Sequence, residues 1–180
     1  GYFPDGIYRP GHPERWRRDV TDALEMGFNG IRMHQKIEDP VFLYWCDVLG
    51  LAVWGEMPSY LLPRRRCQAA FLTQWREALL RDLNHPCIIA WVPFNEQWGI
   101  QDVWLSGGRR RFFKEVLEQT RRTDPTRPVV SNSGWEHSGS DILDIHAYTW
   151  SLGMFEGVLG SLGTDSGLSL IHISEPTRLG

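Results

Sequence analysis

The run Asn84-His85-Pro86-Cys87-Ile88-Ile89-Ala90-Trp91-Val92-Pro93-Phe94-Asn95-Glu96 breaks from apolar residues into an amide and a carboxylic acid. Trp91, Val92, Pro93 and Phe94 precede Glu96 and Trp98 follows it, so the carboxyl group is expected to lie against apolar surface that disfavours its ionised form. Such a group holds a proton near neutral pH and can donate it to a leaving oxygen. Asn95 adds an amide that can both donate to and accept from a substrate hydroxyl. Taken alone, the pair also reads as a capped strand followed by a solvated loop carboxylate, because carboxylates are common in loops.

Similar polar groups follow other apolar runs. Arg32 stands near the end of Phe28–Met33 and His34 just past it, Glu56 after Leu51–Trp54, Asn132 after Pro128–Ser131, and His146 and Tyr148 at the end of Ile142–Ala147. Singly, each has an ordinary explanation: a surface ion pair for Arg32, a supporting contact for Glu56, a satisfied core histidine for His146. Together they form a pattern, since a parallel barrel gathers the C-terminal ends of its strands around one pocket.

The intervening elements fit that arrangement. Pro13–Met26 carries Trp16, Val20 and Leu24 at helical spacing and stops at Gly27. Asp39-Pro40 opens a second helix through Phe42, Trp45 and Leu49, closed by Gly50. Gln68–Leu83 repeats apolar residues at Phe71, Trp75, Leu79 and Leu83, and Arg109–Arg122 turns Phe112, Phe113, Val116 and Leu117 inward. Helices alternating with short β-rich runs predict an α/β fold with a parallel sheet. No GxGxxG or GxxxxGK[ST] turn follows a strand, which disfavours a doubly wound nucleotide-binding sheet and favours a barrel.

Composition narrows the function classes. The 180 residues are 42% hydrophobic, enough to bury a core, with a net charge of −3 and no basic stripe alternating with aromatics, so nucleic acid is not an expected partner. No apolar run approaches about 18 residues, so no membrane association is expected. Cys46, Cys67 and Cys87 lack CxxC spacing and read as thiols of a reducing compartment, a cytoplasmic setting, although the chain opens on Gly1 and a signal peptide would be invisible. Nine tryptophans supply flat faces suited to sugar rings as well as to a core.

Three longer stretches resemble the catalytic barrel of glycoside hydrolase family 2. They are Gly27-Phe28-Asn29-Gly30-Ile31-Arg32-Met33-His34-Gln35-Lys36, the segment from Phe42 to Leu51, and Val53-Trp54-Gly55-Glu56-Met57-Pro58. Arg81-Asp82-Leu83-Asn84-His85-Pro86 before Trp91, Asn95 and Glu96 is similar to the family's acid/base segment, and Asp124-Pro125-Thr126-Arg127-Pro128-Val129 resembles its approach to the next strand. The resemblance spans roughly residues 1–150. It implies a (β/α)8 TIM barrel, here truncated to about five βα units, and a retaining glycosidase acting on a carbohydrate without a cofactor or a metal.

By matched position, Glu96 would be the general acid/base and Asn95 would bind the hydroxyl next to the reacting carbon. Arg32 would lie near the nucleophile with Tyr148, while His34, Glu56, His146 and Trp150 would line the sugar subsite. A retaining mechanism needs a second carboxylate about 5 to 5.5 Å from the acid. That nucleophile is expected from a strand after Tyr148 and is missing from this chain, so the fragment is expected to be inactive. Residues 1–150 are thus read as part of a catalytic barrel and 151–167 as an unassigned continuation. Residues 168–180 contain LSLIHISEPTR, which looks like a translated sequencing-library adapter, so His172 and Glu175 receive no role. The full-length protein is expected to carry β-sandwich domains and to be capable of oligomerising.

Two other readings remain. One is a metal-dependent hydrolase with Asp144, His146 and His34 as ligands, although no HxH or HExxH occurs. The other is a non-catalytic carbohydrate-binding fragment that uses Trp91, Trp98, Trp135 and Trp150 as stacking platforms. Galactoside, glucuronide and mannoside all stay open as substrates.

Overall fold

The computed structural model describes residues 3, 6, 7, 9–59, 65–146 and 148. Trp150 and the segments 151–167 and 168–180 lie outside the described residues. The elements alternate as α1 (Glu14–Glu25), β1 (Gly30–Arg32), α2 (Pro40–Leu49), β2 (Ala52–Glu56), α3 (Arg65–Asp82), β3 (Ile88–Val92) and α4 (Gly107–Thr123).

Local chemistry sets the boundaries. Asp39 caps α2 by accepting the Val41 N–H, with Pro40 in the first turn, and Gly50 ends that helix at φ 82°. Ser106 caps α4 by accepting the Arg109 N–H. β3 stops at Val92, two residues short of the Ile88–Phe94 run, because Pro93 has no N–H to continue the ladder. β2 reaches past Trp54 to Glu56, which makes that carboxylate the last residue of the strand.

The three strands are parallel and ordered β1-β2-β3, with Arg32 opposite Trp54 and Glu56 opposite Val92. Helices pack on one side of the sheet, where Trp16, Val20, Phe42, Leu43, Phe71, Trp75, Leu79, Ile88, Trp91, Phe94 and Phe113 form the main core. The other side carries a smaller apolar cluster of Trp54, Ala90, Val92 and Val130, with Ile142 packed against it. Strand alternation puts Glu56 on the Trp54 side, the side that faces inward in a barrel. Gly55 is required by packing, since a Cβ there would lie 2.7 Å from Cζ3 of Trp91. Among the described residues no helix is long and apolar enough to cross a membrane.

The expected fourth and fifth strands are not formed as strands among the described residues. The chain from Pro128 does run parallel to β3, meeting it in bridges at Trp91–Val129 and Asn95–Ser133. Its opposite edge is occupied by side chains, however. The Val129 N–H donates to Asp141, the Ser131 N–H to the Ser140 hydroxyl, and the Gly134 N–H to Asp144. With those donors taken, the 141–146 segment reaches this edge through backbone bonds from the Asp141 and His146 N–H groups to the Val129 and Gly134 carbonyls, and residues 142–146 stay irregular.

Candidate active site

Four segments bring their ends together on one side of the sheet. From the end of β1, Arg32 Nη1 donates to Glu56 Oε2 at 2.5 Å and to Asn95 Oδ1 at 3.2 Å, while Nη2 lies 3.3 Å from His34 Nδ1. Glu56 also accepts the Gln35 N–H at 2.8 Å, so both of its oxygens are occupied. Burial pushes the Glu56 carboxyl up to about 7 against the pull of Arg32 and the Gln35 N–H. Asn95 is fully buried, and its Nδ2 finds no partner among the described residues.

Glu96 turns away from this ion pair. Its backbone, like that of Gln97, adopts the left-handed region at φ 48° and 59° respectively, where non-glycine residues are uncommon. The turn carries the carboxylate to His146, whose Nδ1 lies 2.6 Å from Glu96 Oε1, and to Tyr148, whose hydroxyl donates to the same oxygen. The turn is fixed from the fourth segment, where Ser133 accepts the Glu96 N–H and Asn132 Oδ1 accepts the Gln97 N–H.

The expectation that Glu96 rests protonated among apolar neighbours is corrected by this geometry. Burial does push its carboxyl upward, but contacts from Tyr148, His146 and Trp98 outweigh burial and hold it below the usual carboxylate range. Trp91 and Phe94 face the core and leave the carboxyl group to polar partners. The raised carboxyl in this site belongs to Glu56.

The structure thus joins Arg32, His34, Glu56 and Asn95 in one network and Glu96, His146 and Tyr148 in another. Arg32, His34, His146 and Tyr148 share the wall of a hollow of about 660 Å³ beside α1 and β1. Ser133, Gly134 and His137 were not singled out in the sequence, yet they surround Asp144 and His146. The SNSG run at 131–134, small polar residues ending in glycine just past an apolar run, was the available signal.

Two alternative arrangements fare differently. Asp144 Oδ2 lies 4.0 Å from His146 Nε2, but His34 faces Arg32 and Glu56 instead of joining them. Among the described residues, the ligand-type cluster is Asp47, His85 and Cys87, at the other end of β3. Its groups already have partners, with His85 Nδ1 2.6 Å from Asp47 Oδ2, the Cys87 N–H donating to Asp47 Oδ1 and the Cys87 thiol donating to the Leu43 carbonyl. Trp91 is no stacking platform, being 2% exposed with its indole N–H on Asp124, whereas Trp98 and Trp135 are exposed.

Helices laid on a parallel sheet, with charged groups gathered past its C-terminal edge, match the arrangement at the C-terminal face of a parallel barrel. The model of "Glycosyl hydrolases family 2, TIM barrel domain" matches residues 12–156, and the chain belongs to that family. It is 32% identical to a β-galactosidase of Thermoanaerobacter pseudethanolicus over 65% of this chain and 15% of that protein. It is 29% identical to a β-glucuronidase of Rattus norvegicus over 71% of this chain and 20% of that protein. The crystal structure of Parabacteroides merdae β-glucuronidase with glycerol in its active site superposes with a TM-score of 0.78 at 21% identity, over 94% of this chain and 23% of that one, a likeness of fold. The chain therefore spans a fifth or less of the length of these two curated relatives.

Proposed function

We propose that the whole protein hydrolyses O-glycosidic bonds of β-glycosides with retention of configuration, and that Glu96 is its general acid/base. The observation that carries this reading is the delivery of Glu96 past the end of β3 into contact with His146 and Tyr148, beside the network of Arg32, Glu56 and Asn95. In the first half-reaction the Glu96 carboxyl protonates the glycosidic oxygen while a second carboxylate attacks the anomeric carbon; in the second, the Glu96 carboxylate takes a proton from the water that releases the sugar. A carboxyl held below the usual range suits the proton-accepting role of the second half. Glu56 is unsuited to the attack because Arg32 and the Gln35 N–H take both of its oxygens. The attacking carboxylate is instead proposed to come from a strand after Tyr148.

Asn95 supplies an amide for the hydroxyl beside the reacting carbon. Arg32, His34, Glu56, His146, Tyr148 and Trp150 complete the sugar site. Relatives named for β-galactosides and β-glucuronides support a β-glycoside substrate without choosing between sugars. Flanking β-sandwich domains and oligomerisation belong to the same proposal for the whole protein.

The test is Glu96→Gln in the full-length protein, assayed on substrates with poor and with activated leaving groups. General acid assistance contributes about 10² to 10⁴ in rate, so the variant should lose that much on poor leaving groups and far less on activated aryl glycosides. Equal losses on both would remove Glu96 from the acid role.

A further inference from the structure

The contact between Glu96 and His146 is one link in a chain of hydrogen bonds that runs into the interior. Asp144 is 1% exposed. Its Oδ2 accepts the Ser133 hydroxyl at 2.5 Å, its Oδ1 accepts the Gly134 N–H at 3.1 Å, and His137 Nε2 lies 3.2 Å from Oδ1. Burial opposes ionisation of Asp144, but His137, Ser133 and the Gly134 N–H together hold it below the usual carboxylate range. An ionised carboxylate only accepts, so the one hydrogen on the Ser133 hydroxyl points to Asp144.

Ser133 Oγ then has only lone pairs to offer His146 Nε2, 3.3 Å away. That ring nitrogen must carry a hydrogen. The ring cannot slide away from this contact on one side, because it lies flat against Gly134, where a Cβ would stand 2.2 Å from His146 Cγ. Once the hydrogen on Nε2 is fixed, the 2.6 Å contact between His146 Nδ1 and Glu96 Oε1 requires one proton between the two atoms. It is either a carboxylic acid donating to a bare nitrogen or an imidazolium donating to a carboxylate. Removing that proton would set a lone pair against a carboxylate oxygen. The opposite tautomer, with its hydrogen on Nδ1, would let Glu96 stay ionised with no proton to give to a leaving oxygen.

We propose that Ser133 and Asp144 are positioning residues that fix His146 in its Nε2–H form and so keep one proton shared between His146 and Glu96, ready for the glycosidic oxygen. This inference rests on Glu96 being the acid/base. The charged and titratable groups around the pair are Tyr148 on the same segment, His137 and Glu136 in the loop after the fourth segment, Arg32 at the end of β1 with His34 just past it, and Glu56 at the end of β2, raised chiefly by burial and a little further by Asp144.

Asp144→Asn tests the inference with an isosteric change. The Gly134 N–H keeps the amide oxygen at the Oδ1 position, so the new NH₂ faces Ser133 and donates to it. The Ser133 hydroxyl then turns to donate to Nε2, and His146 is driven to its Nδ1–H form. A carboxylate that selects a histidine tautomer through a hydrogen bond acts by the same physics in Ser-His-Asp triads. The readouts on the full-length protein are ring ¹⁵N chemical shifts of His146 and the pH profile of kcat/KM on a poor-leaving-group substrate.

The expected result is Nε2–H in the wild type, Nδ1–H in Asp144→Asn, and a basic limb moved about one pH unit lower, a tenfold loss on its alkaline side. The loss of a negative charge alone would move the limb without switching the tautomer, and that outcome overturns the proposal. An Nδ1–H ring in the wild type overturns it as well, with no variant required. A switched tautomer with an unmoved limb also counts against it. Equal losses for Glu96→Gln on both classes of leaving group would instead sink the acid/base reading itself, whatever the tautomer.

Discussion

Two histidine–carboxylate pairs flank β3, each with a ring nitrogen 2.6 Å from a carboxylate oxygen, and they are built differently. Before the strand, Asp47 takes the His85 ring on one oxygen and the Cys87 N–H on the other, tying α2 to the start of β3. Nearby, Arg127 donates to the carbonyls of Leu83, His85 and Ile88 and to Asp124, which also accepts the indole N–H of Trp91. After the strand, Glu96 and Gln97 sit on left-handed backbone, His146 and Tyr148 converge on one Glu96 oxygen, and Asn95 Nδ2 and Arg32 Nε lack partners among the described residues. The entry end closes on its own atoms. The exit end keeps strained backbone and unpartnered buried donors, features that persist where a site serves something other than stability.

That contrast can be broken by substitution. The largest effect is expected at the exit end from Gly134→Ala, whose new Cβ would displace the His146 ring from Glu96 and strain a backbone at φ 89°. A misplacement of that order costs about 10²-fold, so kcat on poor leaving groups should fall by that much with KM little changed. Steady-state kinetics on the full-length protein decide it, and an unaltered kcat would mean that the ring position does not matter. At the entry end, Asp47→Asn should cost about 1 to 3 kcal/mol through hydrogen bonds left poorly matched. Thermal unfolding should show that loss with kcat/KM unchanged in the folded protein; a kinetic defect there would erase the division between the two ends.

The smallest effect concerns pH. Glu56 has its folded value raised from 4.5 to about 7, so the folded protein holds that proton more tightly than the unfolded chain. Its contribution is complete below about pH 4.5 and is lost as pH rises through 7, a change of about 1 kcal/mol between pH 6 and 8. Asp47 and Asp124 are shifted the opposite way, and their contribution is present above the ordinary carboxylate range and lost in acid. Melting temperatures from pH 6 to 8 should therefore decline in the wild type and flatten in Glu56→Gln; an equal slope in both would remove Glu56 as the source.

Much of this architecture was legible because its signals are local. The spacing of Phe71, Trp75 and Leu79 marked α3, and Asp39-Pro40 with Gly50 bounded α2 within a residue of their observed ends. Polar residues just past apolar runs led to Arg32, Glu56, Asn95, Glu96, His146 and Tyr148, which the fold gathers into two networks sharing one side of the sheet. The ionisation of Glu96 was misread because its neighbours in sequence are not its neighbours in space: Trp91 and Phe94 enter the core, while the groups that decide its charge lie 50 and 52 residues away. The residues from Pro128 look like an ordinary strand, and nothing in their own pattern reveals that Asp141 and Ser140 will occupy the outer edge. Ser133 and Gly134 escaped notice because small residues become informative only once a ring is seen resting on them.

The Arg127 clamp also bears on synthesis. The carbonyls it gathers precede it by 39 to 44 residues, so the turn that launches β3 cannot be completed by any residue near it in the chain. A ribosome exposes the chain in order, so the carbonyls of Leu83, His85 and Ile88 gain these bonds only after α4 and the segment carrying Arg127 have been made. At this one point the fold is stitched backwards, a late-made arginine fastening the start of a strand made before it.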